Sequence, residues 1–215
     1  MLEALKPADH SGIVYRLAGR RSVERLARKY GITDDADMED IRQAIGEESL
    51  AKVLLTDPFQ RKDFLPLPFS GPTRFGDGTF PVFYSAERLE TSEAELRYHR
   101  ERDAVGDPTK QFALHMWAFQ CRIEGRAIDL RPELAQWSWL RSIETCNANC
   151  QALGREASTA GDVDAFQAPS ARDNAGTTVP VFQADALSSP VIECTTIFAF
   201  DAGTGKVSVR RLGLT

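Results

Sequence analysis

The last third of the chain constrains the fold most. From residue 163 onward the apolar runs are short, β-branched or aromatic, and bounded by Pro, Gly, Asp or Asn. Residues 163–168 read as one strand and lead into Pro169-Ser-Ala-Arg-Asp-Asn-Ala-Gly176, a turn-forming stretch. Thr178-Val-Pro-Val-Phe-Gln183 and Thr195-Thr-Ile-Phe-Ala-Phe200 read as further strands. Asp201-Ala-Gly-Thr-Gly205 then turns the chain back through 206–211 as a hairpin. A chain that ends this way is built around a sheet.

Upstream, helical and strand patterns alternate. Ile13-Val-Tyr-Arg-Leu17 predicts a short strand. Residues 22–30 predict a helix with Ser22 as cap, Val23, Leu26, Ala27 and Tyr30 at helical spacing, and Gly31 as stop. An acidic run containing Asp34, Asp35, Asp37 and Asp40 leads into a helix over about 38–45, continued by residues 50–55. The run lacks the glycine and late glutamate of a calcium loop, so it reads as the charged start of a helix. Residues 58–81 are rich in Pro, Phe and Gly and read as an irregular loop. A short buried strand over 81–85 follows, then a helix over about 92–102. Residues 112–131 read as two strands. Residues 133–156 read as helical, with Leu134, Trp137, Leu140 and Ile143 at helical spacing and a second helix around 148–156. No internal repeat is present. The pattern defines one mixed α/β or α+β domain, and 215 residues bury a useful core without disulfides or a structural metal.

Charge and composition narrow the function. Lys and Arg number 26 against 31 Asp and Glu, a net charge of −5. An acidic chain has no global attraction for nucleic acid or an anionic membrane. No apolar stretch approaches the roughly 18–20 residues of a membrane span, and the first fifteen residues lack the apolar region of a signal peptide. The four cysteines read as reduced thiols of a cytoplasmic protein; Cys146-Asn-Ala-Asn-Cys150 is no redox CxxC, and the three scattered histidines complete no zinc spacing. Gly203-Thr-Gly-Lys206 falls short of a P-loop, because Phe200 stands where the first Gly belongs and Val207 replaces the Ser or Thr. GxGxxG, HExxH and GxSxG are all absent.

One constellation remains. Arg74 lies in Gly71-Pro-Thr-Arg-Phe-Gly-Asp-Gly78, Tyr84 on the strand that follows, and Glu95 early in the next helix. Ser170 and Arg172 stand in Ala168-Pro-Ser-Ala-Arg172. The set suits a sugar-phosphate ligand. Arginine offers a planar donor fork for phosphate, and tyrosine a flat face and a hydroxyl. A carboxylate binds ribose hydroxyls or stabilises positive charge at an anomeric carbon. The serine hydroxyl binds an amide or phosphate. Each residue also has a plainer reading. Ser92-Glu-Ala-Glu95 fits a capping box, so Glu95 reads as helix cap, pocket carboxylate or both. Arg74 reads equally as a surface arginine, Tyr84 as a core aromatic and Ser170 as a turn residue.

At these residues the sequence resembles the RES-domain family, named for its Arg, Glu and Ser. Val14-Tyr-Arg-Leu17 is similar to the family's opening strand. Thr73-Arg-Phe-Gly-Asp-Gly-Thr-Phe-Pro-Val-Phe-Tyr-Ser-Ala-Glu87 resembles its Arg-Trp-Asn…Tyr-Ala-Glu block, with Phe75 for the usual Trp and Gly76 for the usual Asn. Arg126-Ala-Ile-Asp-Leu130, Ala168-Pro-Ser-Ala-Arg172 with Asn174, and Val179-Pro-Val-Phe182 resemble later segments. The resemblance covers about 72–185 plus the N-terminal strand, and leaves residues 20–70 as a helical insertion in a single domain. It implies an α+β fold like that of ADP-ribosyltransferases, with a mixed β core and flanking helices. It implies a toxin of a bacterial toxin–antitoxin pair that cleaves the nicotinamide–ribose bond of NAD by hydrolysis or phosphorolysis, restrained by a cognate antitoxin. The alternatives are an ADP-ribosyltransferase acting on a protein and a non-catalytic interaction module. By carry-over, Arg74, Tyr84, Glu95 and Ser170 are the catalytic set, and Arg16, Arg74, Tyr84, Arg172 and Asn174 bind NAD. NAD is then a substrate, with no resident cofactor and no metal.

Overall fold

The computed structural model describes residues 2–23, 27, 30–32, 37–60, 73–104, 112–142 and 147–213. Its strands are β1 (Ala8–Gly19), β2 (Phe83–Ala86), β3 (Ala113–Asp129), β4 (Ala165–Pro169), β5 (Thr177–Val181), β6 (Leu187–Asp201) and β7 (Lys206–Gly213). The α-helices among the described residues are α1 (Met38–Ile45), α2 (Glu47–Gln60), α3 (Leu89–Ala104) and α4 (Ala148–Ala160). The strands form one sheet in the order β1-β2-β5-β4-β3-β6-β7, and β1 also pairs with β3. Only the β3–β4 pair is parallel. The fold is α+β, with a mixed seven-stranded sheet flanked by helices.

Residue alternation sorts the core into two layers. Val14 and Ala18 of β1, Phe83 of β2 and Val179 and Val181 of β5 join Ile41, Ile45, Leu50 and Leu54 of α1 and α2. Phe166 and Ala168 of β4 instead meet Leu153 and Ala157 of α4, with Phe75 and Phe182. Tyr15 and Leu17 of β1 pack with Leu89 of α3. The helices α1 and α2 therefore cover one face, and α3 and α4 the other.

Several local readings hold for local reasons. Asp37 caps α1, accepting from the Glu39 and Asp40 amides at 2.8 and 2.9 Å, while Asp40 accepts from the Asp37 amide at 3.1 Å. The acidic run is thus a helix start where it is described; Asp34 and Asp35 lie outside the described residues. Most of the helix expected over 22–30, and residues 61–72 of the Pro- and Phe-rich loop, also lie outside them. The hairpin of β6 and β7 turns at 201–205, as expected.

Two expectations are corrected. Residues 113–129 form one strand, because β3 is paired along both edges, with β1 over 8–19 and with β6 over 187–199. Gly125, the natural place for a turn, instead makes room for Asp164, whose carboxylate accepts the Arg126 amide at 2.7 Å; a Cβ on Gly125 would lie 2.5 Å from Asp164 Oδ2. Residues 132–141 hold two single 3-10 turns, Pro132–Ala135 and Ser138–Arg141, where a helix was expected. Trp137 and Trp139 stack at 5.3 Å. Residues two apart do not meet on a helix, so that stack excludes one. The helix α4 starts at Asn147, whose side chain accepts from the Asn149 and Cys150 amides.

Candidate active site

The turn between β4 and β5 lies against α3, and Glu95 joins the two. Ser170 Oγ donates to Glu95 Oε1 at 2.5 Å, and the Ala171 amide donates to the same oxygen at 3.1 Å. Glu95 is half-buried. One oxygen is anchored, and the other, Oε2, takes no hydrogen bond from a described residue. Ser170 is 1% exposed, and its Oγ accepts from the Arg172 and Asp173 amides at 3.1 and 3.0 Å. A hydroxyl has one proton and two lone pairs, so all three are committed and the proton points at Glu95.

The geometry removes the cap reading of Glu95. The helix starts at Leu89, so Ser92 is already inside it, and the Ser92 hydroxyl donates to the Tyr15 carbonyl at 2.8 Å. The capping box does not form. Glu95 stands on the second turn of α3 and reaches across to another element.

The loop over 73–79 is built around the Tyr84 hydroxyl. That oxygen accepts from the Phe75 amide at 2.9 Å and lies 2.5 Å from Thr73 Oγ1. Thr73 in turn meets Gly76 through amide, carbonyl and hydroxyl contacts of 2.7 to 3.2 Å. Burial pushes the Tyr84 phenol up to about 12, although the bonds from Thr73 and Phe75 and the charge of Arg74 act against it. It remains a neutral donor through the physiological range. From below, α4 fixes the loop: Gln151 Nε2 donates to the Thr73 carbonyl at 2.9 Å, and Gly154 lets the Phe75 carbonyl touch the helix backbone.

Arg74 projects from this loop to the other half of the site. Its Nη2 donates to the Pro169 carbonyl at 2.9 Å, one residue before Ser170, and its guanidinium lies 4.9 Å from the Phe75 ring centre. The Cys150 thiol nearby is pushed up by burial, against the influence of Arg74, and is a poor nucleophile. The Arg172 guanidinium lies 3.6 Å over the Tyr98 ring. Burial holds Arg172 below the ordinary arginine value; Glu95 and Tyr98 act against that, and Arg74 and Arg102 act with it. Arg74, Arg102 and Glu95 all act electrostatically on Arg172, so these charges lie within reach of one another.

The structure brings Arg74, Tyr84, Glu95, Ser170 and Arg172 together, and leaves two candidates apart. Arg16 shares a face with Val14 and Ala18, stacks 4.7 Å over Phe83 and donates to the Tyr84 carbonyl at 3.3 Å. It lies on the sheet face away from α3 and Glu95. Asn174 is an exposed turn residue whose carbonyl accepts from Arg141 at 2.7 Å. Sequence reasoning missed Thr73, Thr91, Tyr98, Gly154 and Asp173, all of which act through partners distant in the chain. Surface depressions of about 330 Å³ beside His10 and Arg126, and about 520 Å³ beside Tyr15 and Arg211, include none of the Glu95 group. Among the described residues, no cluster of His, Cys, Asp or Glu is arranged to hold a metal ion, and no helix is long and apolar enough to cross a membrane.

The sheet thus carries, on the face covered by α3 and α4, an anchored carboxylate with arginines nearby. The family model for the RES domain matches residues 54–201, more than half the chain, and the protein belongs to the RES domain family. A search of curated proteins found no match.

Proposed function

We propose that this protein consumes NAD by cleaving the bond between nicotinamide and ribose, with water or phosphate as acceptor. The observation that carries the reading is Glu95: one oxygen anchored by Ser170 and Ala171, the other open, beside Arg74 and Arg172. The arginines bind the diphosphate. Glu95 Oε2 holds a ribose hydroxyl and stabilises the positive charge that grows at the anomeric carbon. The bond from that carbon to the pyridinium nitrogen breaks, and its electron pair leaves with nicotinamide, now neutral. Water then adds to the carbon and loses a proton, giving ADP-ribose; phosphate would give its 1-phosphate. Such an activity drains the cell that makes it, so the reading is of a toxin, and it entails a cognate antitoxin as partner.

The test is purified protein incubated with NAD, with and without phosphate, with free nicotinamide followed over time. Release is expected, and Glu95→Gln should lower kcat by about 100- to 1,000-fold, the usual loss for a group that stabilises developing charge. No release under either condition, with cell lysate also present, would sink the reading. Release that requires a protein acceptor, which becomes labelled, would make the chain a transferase instead.

A further inference from the structure

The face of α3 that carries Glu95 carries a row of residues at helical spacing, each touching the turn over 170–173. Tyr98 underlies Arg172, and Glu95 accepts from Ser170 and Ala171. One turn earlier, Thr91 Oγ1 donates to Asp173 Oδ2 at 2.6 Å, and Arg88 Nη2 donates to the same oxygen at 2.8 Å. Thr91 is fully buried. Asp173 Oδ1 accepts the Ala175 amide at 3.1 Å, and the Asp173 carbonyl accepts the Gly176 amide at 2.9 Å. Gly176 leaves the space this requires, since a Cβ there would lie 2.5 Å from Asp173 Oδ2 and 2.6 Å from Thr91.

Asp173 is also one of the two residues whose amides bind Ser170 Oγ. Where its carboxylate is held, its amide is held, and the amide helps decide where the Ser170 proton points. We propose that Asp173, clamped by Thr91 and Arg88, is a positioning residue that aims the Ser170 hydroxyl at Glu95 and so fixes the Glu95 carboxylate for the reaction proposed above, on which this inference rests. It makes no contact with substrate. Its effect falls mainly on the chemical step, because the clamp reaches Ser170 and Glu95 directly, whereas Arg74 stands on the 73–79 loop and meets this turn only through the Pro169 carbonyl.

Three variants test this: Thr91→Val, which keeps the shape and removes the hydroxyl, Thr91→Ser, which restores it, and Asp173→Asn. Thr91→Val should lower kcat for nicotinamide release by about tenfold, the scale of a small misplacement of a reacting group, with KM for NAD within twofold. Thr91→Ser should recover most of kcat, and Asp173→Asn should fall between the two. Amide exchange at Arg172 and Asp173, which needs no NAD, should speed up in Thr91→Val and return to normal in Thr91→Ser. A Thr91→Val protein with unchanged kcat, a raised KM alone, or a Thr91→Ser no better than Thr91→Val would overturn the proposal. If the wild type releases no nicotinamide, the functional reading fails, and the exchange measurement alone decides the clamp: unchanged exchange in Thr91→Val rejects it.

Discussion

Asp77 and Asp173 are built from the same parts. Each carboxylate pairs with one arginine and one threonine, and each is held below the ordinary aspartate range. For Asp173 the Thr91 hydroxyl is the main cause, with burial opposing it. For Asp77 burial opposes most, and the bonds from Thr79 and Arg155 together overcome it. The difference lies in where the threonine comes from. Asp77 binds Thr79, two residues on, and so closes its own turn. Asp173 binds Thr91 across 82 residues of sequence and ties two elements together. Identical chemistry therefore finishes a local loop in one place and sets the geometry of Glu95 in the other. The 73–79 loop does not depend on its aspartate, because Tyr84 and α4 already hold it through the core.

The largest expected effect attacks that last claim. A methyl at Gly154 would overlap the Phe75 carbonyl oxygen, a backbone atom that cannot rotate away. Helix propensity favours Ala over Gly by about 1 kcal/mol, whereas overpacking costs about 1–3 kcal/mol, and a backbone clash belongs at the upper end. Gly154→Ala should lose about 2 kcal/mol net, a fall of roughly 4–8 °C in Tm for a chain of this size. Because Arg74 rides on the displaced loop, KM for NAD should rise in the same variant. A Gly154→Ala protein as stable as wild type would mean the loop is not wedged by α4.

Tyr84→Phe probes the same loop from the other side. It strips the Phe75 amide and Thr73 Oγ1 of a shared partner, and an orphaned buried donor costs about 1–3 kcal/mol. We expect about 1.5 kcal/mol, measured by urea denaturation, with a raised KM and little change in kcat. An equal loss of kcat with KM unchanged would place the phenol in the chemistry and dissolve the division between a binding loop and a chemical turn.

The same contrast explains what was legible in the sequence. The hairpin of β6 and β7, the acidic start of α1 and the strand holding Tyr84 are local, and residue type with spacing was enough to find them. Arg74, Glu95 and Ser170 suit one kind of ligand by type, but each had a plainer reading, and it was the family resemblance that singled them out. Thr91, Tyr98 and Asp173 did not stand out, because threonine, tyrosine and aspartate on a helix or turn acquire a role only when a distant partner arrives. Gly154 carries no signal of its own in the sequence, and only the Phe75 carbonyl explains it. Ser92-Glu-Ala-Glu95 misled because it matches a cap that the helix, starting three residues earlier, never uses. Arg16 shows the limit of pattern on a strand: the alternation that buries Val14 and Ala18 carries it to the face away from Glu95.

The smallest expected effect isolates Asp77. Arg155 donates to its Oδ2 from solvent, with side-chain exposures of 59% for Arg155 and 11% for Asp77. An ion pair with one end in water is worth about 0–1 kcal/mol, so Arg155→Ala should cost about 0.5 kcal/mol at pH 7, and less at high salt. The sign with pH follows from the lowered Asp77 pKa. Stability from a depressed carboxylate is present above its unfolded value, near the ordinary 3.8, and is lost as pH falls through the folded value. Wild type and Arg155→Ala should therefore differ in urea midpoint at pH 7 and converge below about pH 3.8. Nicotinamide release at pH 7 should stay at the wild-type rate, because the Tyr84 and Gly154 contacts keep Arg74 in place without the pair. A drop in that rate as large as Thr91→Val produces would show that the two aspartates do the same work after all.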